Sequence, residues 1–194
     1  MIKVSEPFIY WNYFIALESD LENLSRYIEF VDHNFNAYSI ELARLLLSSS
    51  SEIDVVIKEL CKLISPDEKR ENIIDFKNII KSNLPEFINE SVHIHRFGIS
   101  VKPWNNWNSE ENPEWWKSYN HVKHERSLYF EEANLRNTIR SVGALLITNY
   151  YYYKKLFEQE SGSLIKPKKV TEKLQQKSKF VQLDNCYYYD NVVI

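Results

Sequence analysis

The side chains with most capacity for chemistry lie in one stretch, Trp115-Trp116-Lys117-Ser118-Tyr119-Asn120-His121-Val122-Lys123-His124-Glu125-Arg126. It holds three large aromatics, two histidines, three cations and an amide. On a helix, Asn120 and His124 stand four apart and share a face, and His121 neighbours His124 at a spacing of three. Lys117 is one turn before Asn120 and His121. Cations around an imidazole disfavour its charged form, which leaves a neutral base. Lys117, Lys123 and Arg126 also have the charge to hold a phosphodiester and to stabilise the negative charge that develops on it. The competing reading is a packing role: Asn120 and His124 tie helices together in a buried polar network while the Trp pair fills the core.

Those side chains need elements to hold them. Asn112-Pro113-Glu114 reads as a helix start, with Asn112 as N-cap, Pro113 at the first helical position and Glu114 at the positive end of the dipole. The helix that follows carries the polar stretch and breaks near Arg126-Ser127. Another then runs to about Glu160 through Leu128, Ala133, Leu135, Ile139, Val142, Leu145, Leu146 and Tyr150. Upstream, Phe14, Leu17, Leu21, Leu24, Ile28 and Val31 recur at spacings of three and four, with Glu18, Asp20, Glu22 and Glu29 mostly on the other side. A second helix is predicted over about 37–64, with serines at 48–51 in its middle. Serine bonds back to helical carbonyls and bends helices, and its small side chain lets another helix approach closely. A third helix is predicted over about 68–82. Val92 to Val101 alternates at first and predicts an extended insert. The fold class is therefore mostly α: a bundle of about four to five helices with a short extended insert near 92–101. Ser161-Gly162-Ser163 ends a domain over 1–160. Residues 161–194 read as a basic, partly flexible tail whose apolar last residues can dock back.

Three further clusters are weaker. His93 and His95 point the same way on a strand, and with His121 and His124 they make four imidazoles. No Cys or acid stands nearby at ligand spacing, so no metal is assigned. Glu52 and Asp54 lie two apart, on different faces of a helix, and do not make a paired-carboxylate site. Glu52 is the better placed to receive Arg126 or His124, which makes it a supporting residue with Tyr119 and Trp116. Tyr150-Tyr151-Tyr152-Tyr153 and Lys154-Lys155 have the chemistry to stack bases. Four successive helical residues point all round, so partial burial with an interface contact is expected instead.

Composition narrows the classes. The chain has 194 residues, a formal net charge of −3 and three glycines. The mild charge argues against bulk attraction to nucleic acid or membranes. So little glycine leaves no phosphate-cradling loop of the GxGxxG or GxxxxGK[ST] type, and no cofactor is assigned. The two cysteines, Cys61 and Cys186, form no disulfide framework, which points to a reducing cytoplasm. The first residues lack a signal-peptide layout, and no apolar run approaches the roughly eighteen residues of a membrane span.

The order of long helices, the Ser-Glu-Ile-Asp run at Ser51–Asp54 and the pattern W-x-x-Y-N-x-x-K-H-x-R at Trp116–Arg126 resemble HEPN-like domains over about residues 10–160. The nearest resemblance is to uncharacterised bacterial, prophage and mobile-element members. It implies a bundle of four or five helices, commonly a homodimer. Many such proteins are metal-independent RNases in toxin–antitoxin, CRISPR-linked or anti-phage systems. Their active motif is an Arg, a polar residue, a short spacer and a His, with two copies meeting across the dimer. In this chain His124 matches the motif His and Asn120 the polar residue. The Arg position falls on Tyr119, which supplies no cation; Lys117 and Arg126 are the stand-ins. That departure favours a dimeric interaction or regulatory module, with a second copy, RNA or a protein such as an antitoxin as partner. The alternative is an endoribonuclease with a degenerate motif, using His124 with Asn120.

Overall fold

The computed structural model describes residues 7–174 and 177–189. In chain order its elements are α1 (Ile9–Leu24), α2 (Ile40–Ile64), α3 (Ile73–Asn83), β1 (Val92–Ile94), β2 (Ile99–Val101), α4 (Glu114–His124), the single turn α5 (Arg126–Tyr129), α6 (Leu135–Ser161), α7 (Pro167–Lys173) and β3 (Gln182–Leu183). The chain is mostly α, as its apolar spacing predicts.

The bundle is organised on α2 and α6. Each starts at a side-chain cap: Ser39 accepts from the Leu42 N–H, and Asn134 accepts from the Asn137 N–H. The serine run is where the two helices meet closely. Ser49 and Ser50 are fully buried, and Ser49 Oγ lies 2.7 Å from both Leu45 O and Ser141 Oγ of α6. Thr138 donates to Leu42 O at 3.2 Å. Ser49 and Ser141 thus satisfy each other inside a seam that larger residues would hold apart, while among the described residues the buried Ser50 hydroxyl has no partner. Gly143 serves the same end where α6 meets the sheet, since a Cβ there would stand 2.5 Å from Val92 Cγ2.

Capping moves several predicted boundaries. α3 begins at Ile73 because Asn72 accepts from the N–H groups of Ile74 and Asp75. The preceding turn is instead closed by Arg70, which donates to the carbonyls of Ser65, Pro66 and Glu68. At the head of α4 the cap is Pro113, not Asn112, and no side chain caps it. The polar stretch ends one residue earlier than expected, with α4 closing at His124 and Glu125 in a non-helical conformation.

The extended insert is a short antiparallel hairpin, with Val92 opposite Val101 and Ile94 opposite Ile99. Its connection passes through Gly98 at φ +64°, a conformation glycine adopts without Cβ strain. The tail supplies the sheet's other edge: β3 pairs with β1, giving the order β2-β1-β3.

A loose tail beyond residue 160 is therefore not what packs. Val170, Leu174, Phe180, Val181, Leu183 and Tyr187 are buried in the same core cluster as Phe14, Leu45 and Val142. Two buried carboxylates fasten this segment. Glu18 of α1 accepts from Ser178 Oγ at 2.6 Å and from the N–H groups of Lys179, Phe180 and Val181 at 3.1, 2.9 and 2.8 Å. Glu90 accepts from Tyr151 Oη at 2.6 Å and from Tyr187 Oη. Glu18 was expected on the polar side of α1. It lies four after Phe14 and three before Leu21, which is the apolar face, and burial pushes its carboxyl above the usual range. Residues 190–194, predicted to dock back, lie outside the described residues.

Candidate functional site

α4 separates its residues cleanly. Trp115, Ser118, Tyr119 and Val122 are buried, whereas Lys117, His121, Lys123 and His124 are exposed. Trp115 donates through Nε1 to Pro103 O at 2.9 Å and meets Trp104 edge-on at 5.1 Å, so the loop before α4 is held by aromatic packing. Glu110 ends that loop with φ +63°. Its carboxylate takes Lys77 at 2.7 Å and also Lys81, and the two lysines hold it down to about 2.

The predicted catalytic pair is placed on one helix but not in one network. Asn120 is half-buried and donates through Nδ2 to Trp116 O, the carbonyl one turn back. His124 is exposed at the last position of α4. Tyr119, at the position where the resemblance calls for Arg, is 6% exposed and packs with Ala43, Leu46, Val122 and Ala133. Lys123 folds back on it, with Nζ 3.2 Å from the Tyr119 hydroxyl and 5.3 Å from the ring centroid. Lys117 pairs with Glu111 at 3.4 Å. Trp116 is half-buried, its ring 5.3 Å from that of Tyr119.

Glu52 and Asp54 both sit on α2 and both are raised by burial. Glu52 has Tyr10 of α1 in its electrostatic surroundings, whereas Asp54 has Lys58 and Lys123. The acid that faces the polar stretch is thus Asp54.

Within the polar stretch, the histidine with a carboxylate partner is His121. Its Nδ1 is 3.0 Å from Glu132 Oε2, and its ring stacks on Tyr129 at 4.5 Å. A carboxylate on Nδ1 fixes an imidazole's orientation and turns Nε2 outward, the arrangement general acid–base chemistry uses. Sequence carries little signal for this pair. Glu132 lies eleven residues on, across the break between α4 and α6, and only the tight turn of α5 returns it.

Arg126 opens α5 and lines a groove of about 810 Å³ with Ile40, Ala43, Arg44, Leu47, Ser127 and Phe130. Ile40, Ala43, Leu47 and Phe130 give it apolar walls, with Arg44, Arg126 and Ser127 as its polar groups. Ile40 is 77% exposed, and Arg44 on the rim is already paired with Asp20 and Glu41.

His93 and His95 do lie side by side, with rings stacked at 5.3 Å, and His93 Nε2 is 2.6 Å from Asp184 Oδ1. They are not joined by His121 and His124. Among the described residues no three of His, Cys, Asp and Glu gather as metal ligands. Of the tyrosine run, Tyr150, Tyr151 and Tyr153 are buried and Tyr152 half-buried, so no stacking platform forms. Cys61 is buried, and burial pushes its thiol up to about 12, which removes it as a nucleophile. Among the described residues no helix is long and apolar enough to cross a membrane. Compared with protein-family models, with curated proteins and with solved structures, the chain matches none of them.

Proposed function

We propose that the chain is a HEPN-like interaction or regulatory module of a mobile-element, toxin–antitoxin or phage-defence system. It acts in the cytoplasm as a homodimer and needs no cofactor. The observation that carries this reading is the apolar groove walled by Ile40, Ala43, Leu47 and Phe130, with Arg126 at its edge. It lies beside the polar stretch, where the resemblance sets the dimer contact. The exposure of Ile40 beside this groove supports its use as a contact for another apolar surface. The polar groups nearby are committed to their own helix, Asn120 to Trp116 and Lys123 to Tyr119, and Tyr119 supplies no phosphate clamp. Light scattering is the test. The wild type should show twice the 23.2 kDa chain mass, and Ile40→Glu should show one chain. A wild type that stays monomeric at working concentration sinks the dimer.

A second reading has its own observation. The His121–Glu132 pair presents an oriented imidazole beside His124. In an RNase of degenerate motif, His121 and His124 would share the proton transfers, with Lys117 or Arg126 on the phosphate. Metal-independent cleavage of RNA that is lost in both His121→Ala and His124→Ala would establish this reading over the first. No cleavage by the wild type would leave the interaction module.

A further inference from the structure

The outer edge of β2 carries a site that neither reading uses. β1 lies on one side of β2. Among the described residues, no hydrogen bond reaches its other side. The free N–H and C=O groups of an edge strand are a template for another extended chain. A groove of about 500 Å³ runs beside it, between Phe97–Val101 and the wall made by Phe30–His33 and Phe35. Successive side chains of an extended segment point to opposite faces. A groove lined by five consecutive residues therefore fronts the backbone edge, not one face of the strand.

The groove is closed at one end and charged at the other. The rings of Phe30 and Phe97 meet at 5.1 Å and shut the first end. At the second, a hollow of about 270 Å³ shares Asp32, Phe35, Ile99 and Val101 with the groove and continues to Ile139, Arg136 and Arg140 of α6. Arg140 is tied to Glu114. Arg136 lies over the Phe35 ring at 5.9 Å, and among the described residues no carboxylate pairs with it. Asp32 lines the same hollow without pairing with Arg136, whose guanidinium is left to meet an acidic side chain.

We propose that this groove captures an extended segment of a partner protein, which adds to the sheet beside β2. Aliphatic side chains would lie over Ile99 and Val101 and an acidic side chain would meet Arg136. Strand addition draws affinity from main-chain hydrogen bonds and specificity from alternate side chains, and the edge, the aliphatic lining and the arginine supply those requirements. The wall at Phe30–Phe35 stands across the groove from β2, where a whole domain brought edge to edge would meet it, whereas a single added segment sits only about 4.8 Å from its neighbour strand. A peptide segment is therefore the occupant, and edge-to-edge pairing of two copies is not. The proposal rests on the interaction-module reading in kind, but not on dimerisation.

The test titrates the full chain, followed by backbone NMR, with a short acetylated and amidated peptide alternating valine with glutamate. The expected result is shifts confined to Phe97–Val101, Phe30–Phe35 and Arg136. Arg136→Glu should weaken binding at least about tenfold through like-charge repulsion. Methylation of alternate peptide amides should abolish it, and Ile40→Glu should leave it unchanged. Equal binding of the methylated peptide, shifts centred on Ile40–Leu47, or no binding up to the peptide's solubility would each overturn the proposal. Because the methylated peptide leaves the protein untouched, a variant that fails to fold does not spoil the test. A monomeric wild type in light scattering would remove the dimer and leave this site standing.

Discussion

The exposed face of α4 and the underside of the C-terminal segment use polar groups in opposite ways. On α4 the groups are many and their partners are near. Asn120 and Lys123 each bond one turn back along their own helix, and Lys117 reaches six residues to Glu111. Under the C-terminal segment the groups are few and their partners are distant. Glu18 holds residues about 160 positions away, and Glu90 joins Tyr151 to Tyr187 across separations of 61 and 97. The first region decorates a helix that hydrophobic packing already holds. The second closes the chain on itself, with ionisable groups in surroundings where an unpaired one is expensive.

The largest effect should come from Glu18→Ala. It leaves three backbone N–H groups without their acceptor under the segment, while the Ser178 hydroxyl keeps the Val181 carbonyl. At about 1–3 kcal/mol for each buried unsatisfied group, and with partial relaxation, a loss of about 3–5 kcal/mol is expected in urea unfolding. A loss below about 1 kcal/mol would show that the segment does not close the fold, and the contrast with α4 would fail. Tyr187→Phe should cost less, about 1–2 kcal/mol, because it removes one of the two hydroxyls on Glu90 and leaves Tyr151 in place.

A pH scan sharpens the same contrast on the loop that leads into α4. Lys77 and Lys81 hold Glu110 at about 2, below its ordinary 4.5. A carboxyl depressed on folding contributes stability that is present above its unfolded value and is lost as it protonates. Stability should therefore decline between about pH 4.5 and 2, and Glu110→Gln should flatten that part of the profile. A profile unchanged by Glu110→Gln would assign the acid sensitivity to other carboxylates.

How far these regions were legible in the sequence follows from the range of their contacts. Apolar period located the helices, and the small serines at 48–51 pointed to the close seam that Ser49 and Ser141 make. The density of polar side chains located α4. What spacing could not supply was any contact made through the tail. Basic and polar residues at 166–179 hid Val170 and Leu174, and β3 is too short to carry a period of its own. Glu18 was legible in principle, since its register places it on the apolar face. His121 and Glu132 were not, because the turn at α5 that joins them has no periodic pattern. The same limit hid the groove at β2, whose walls come from three separated segments.

The smallest effect should come from α4 itself. Asn120→Ala removes one hydrogen bond to a carbonyl that the helix already engages, and alanine has the higher helix propensity by several tenths of a kcal/mol. The two terms oppose each other, so the net change should stay within about 0.5 kcal/mol. His124→Ala, at an exposed helix end, should fall in the same range. A loss above about 2 kcal/mol in either variant would mean that the polar face supports the packing of α4 on α2, which is the buried-network role the sequence also allowed. A small loss in both leaves their side chains free for an exposed task, and it makes both variants usable in the RNA assay. Any lost cleavage would then report chemistry and not unfolding.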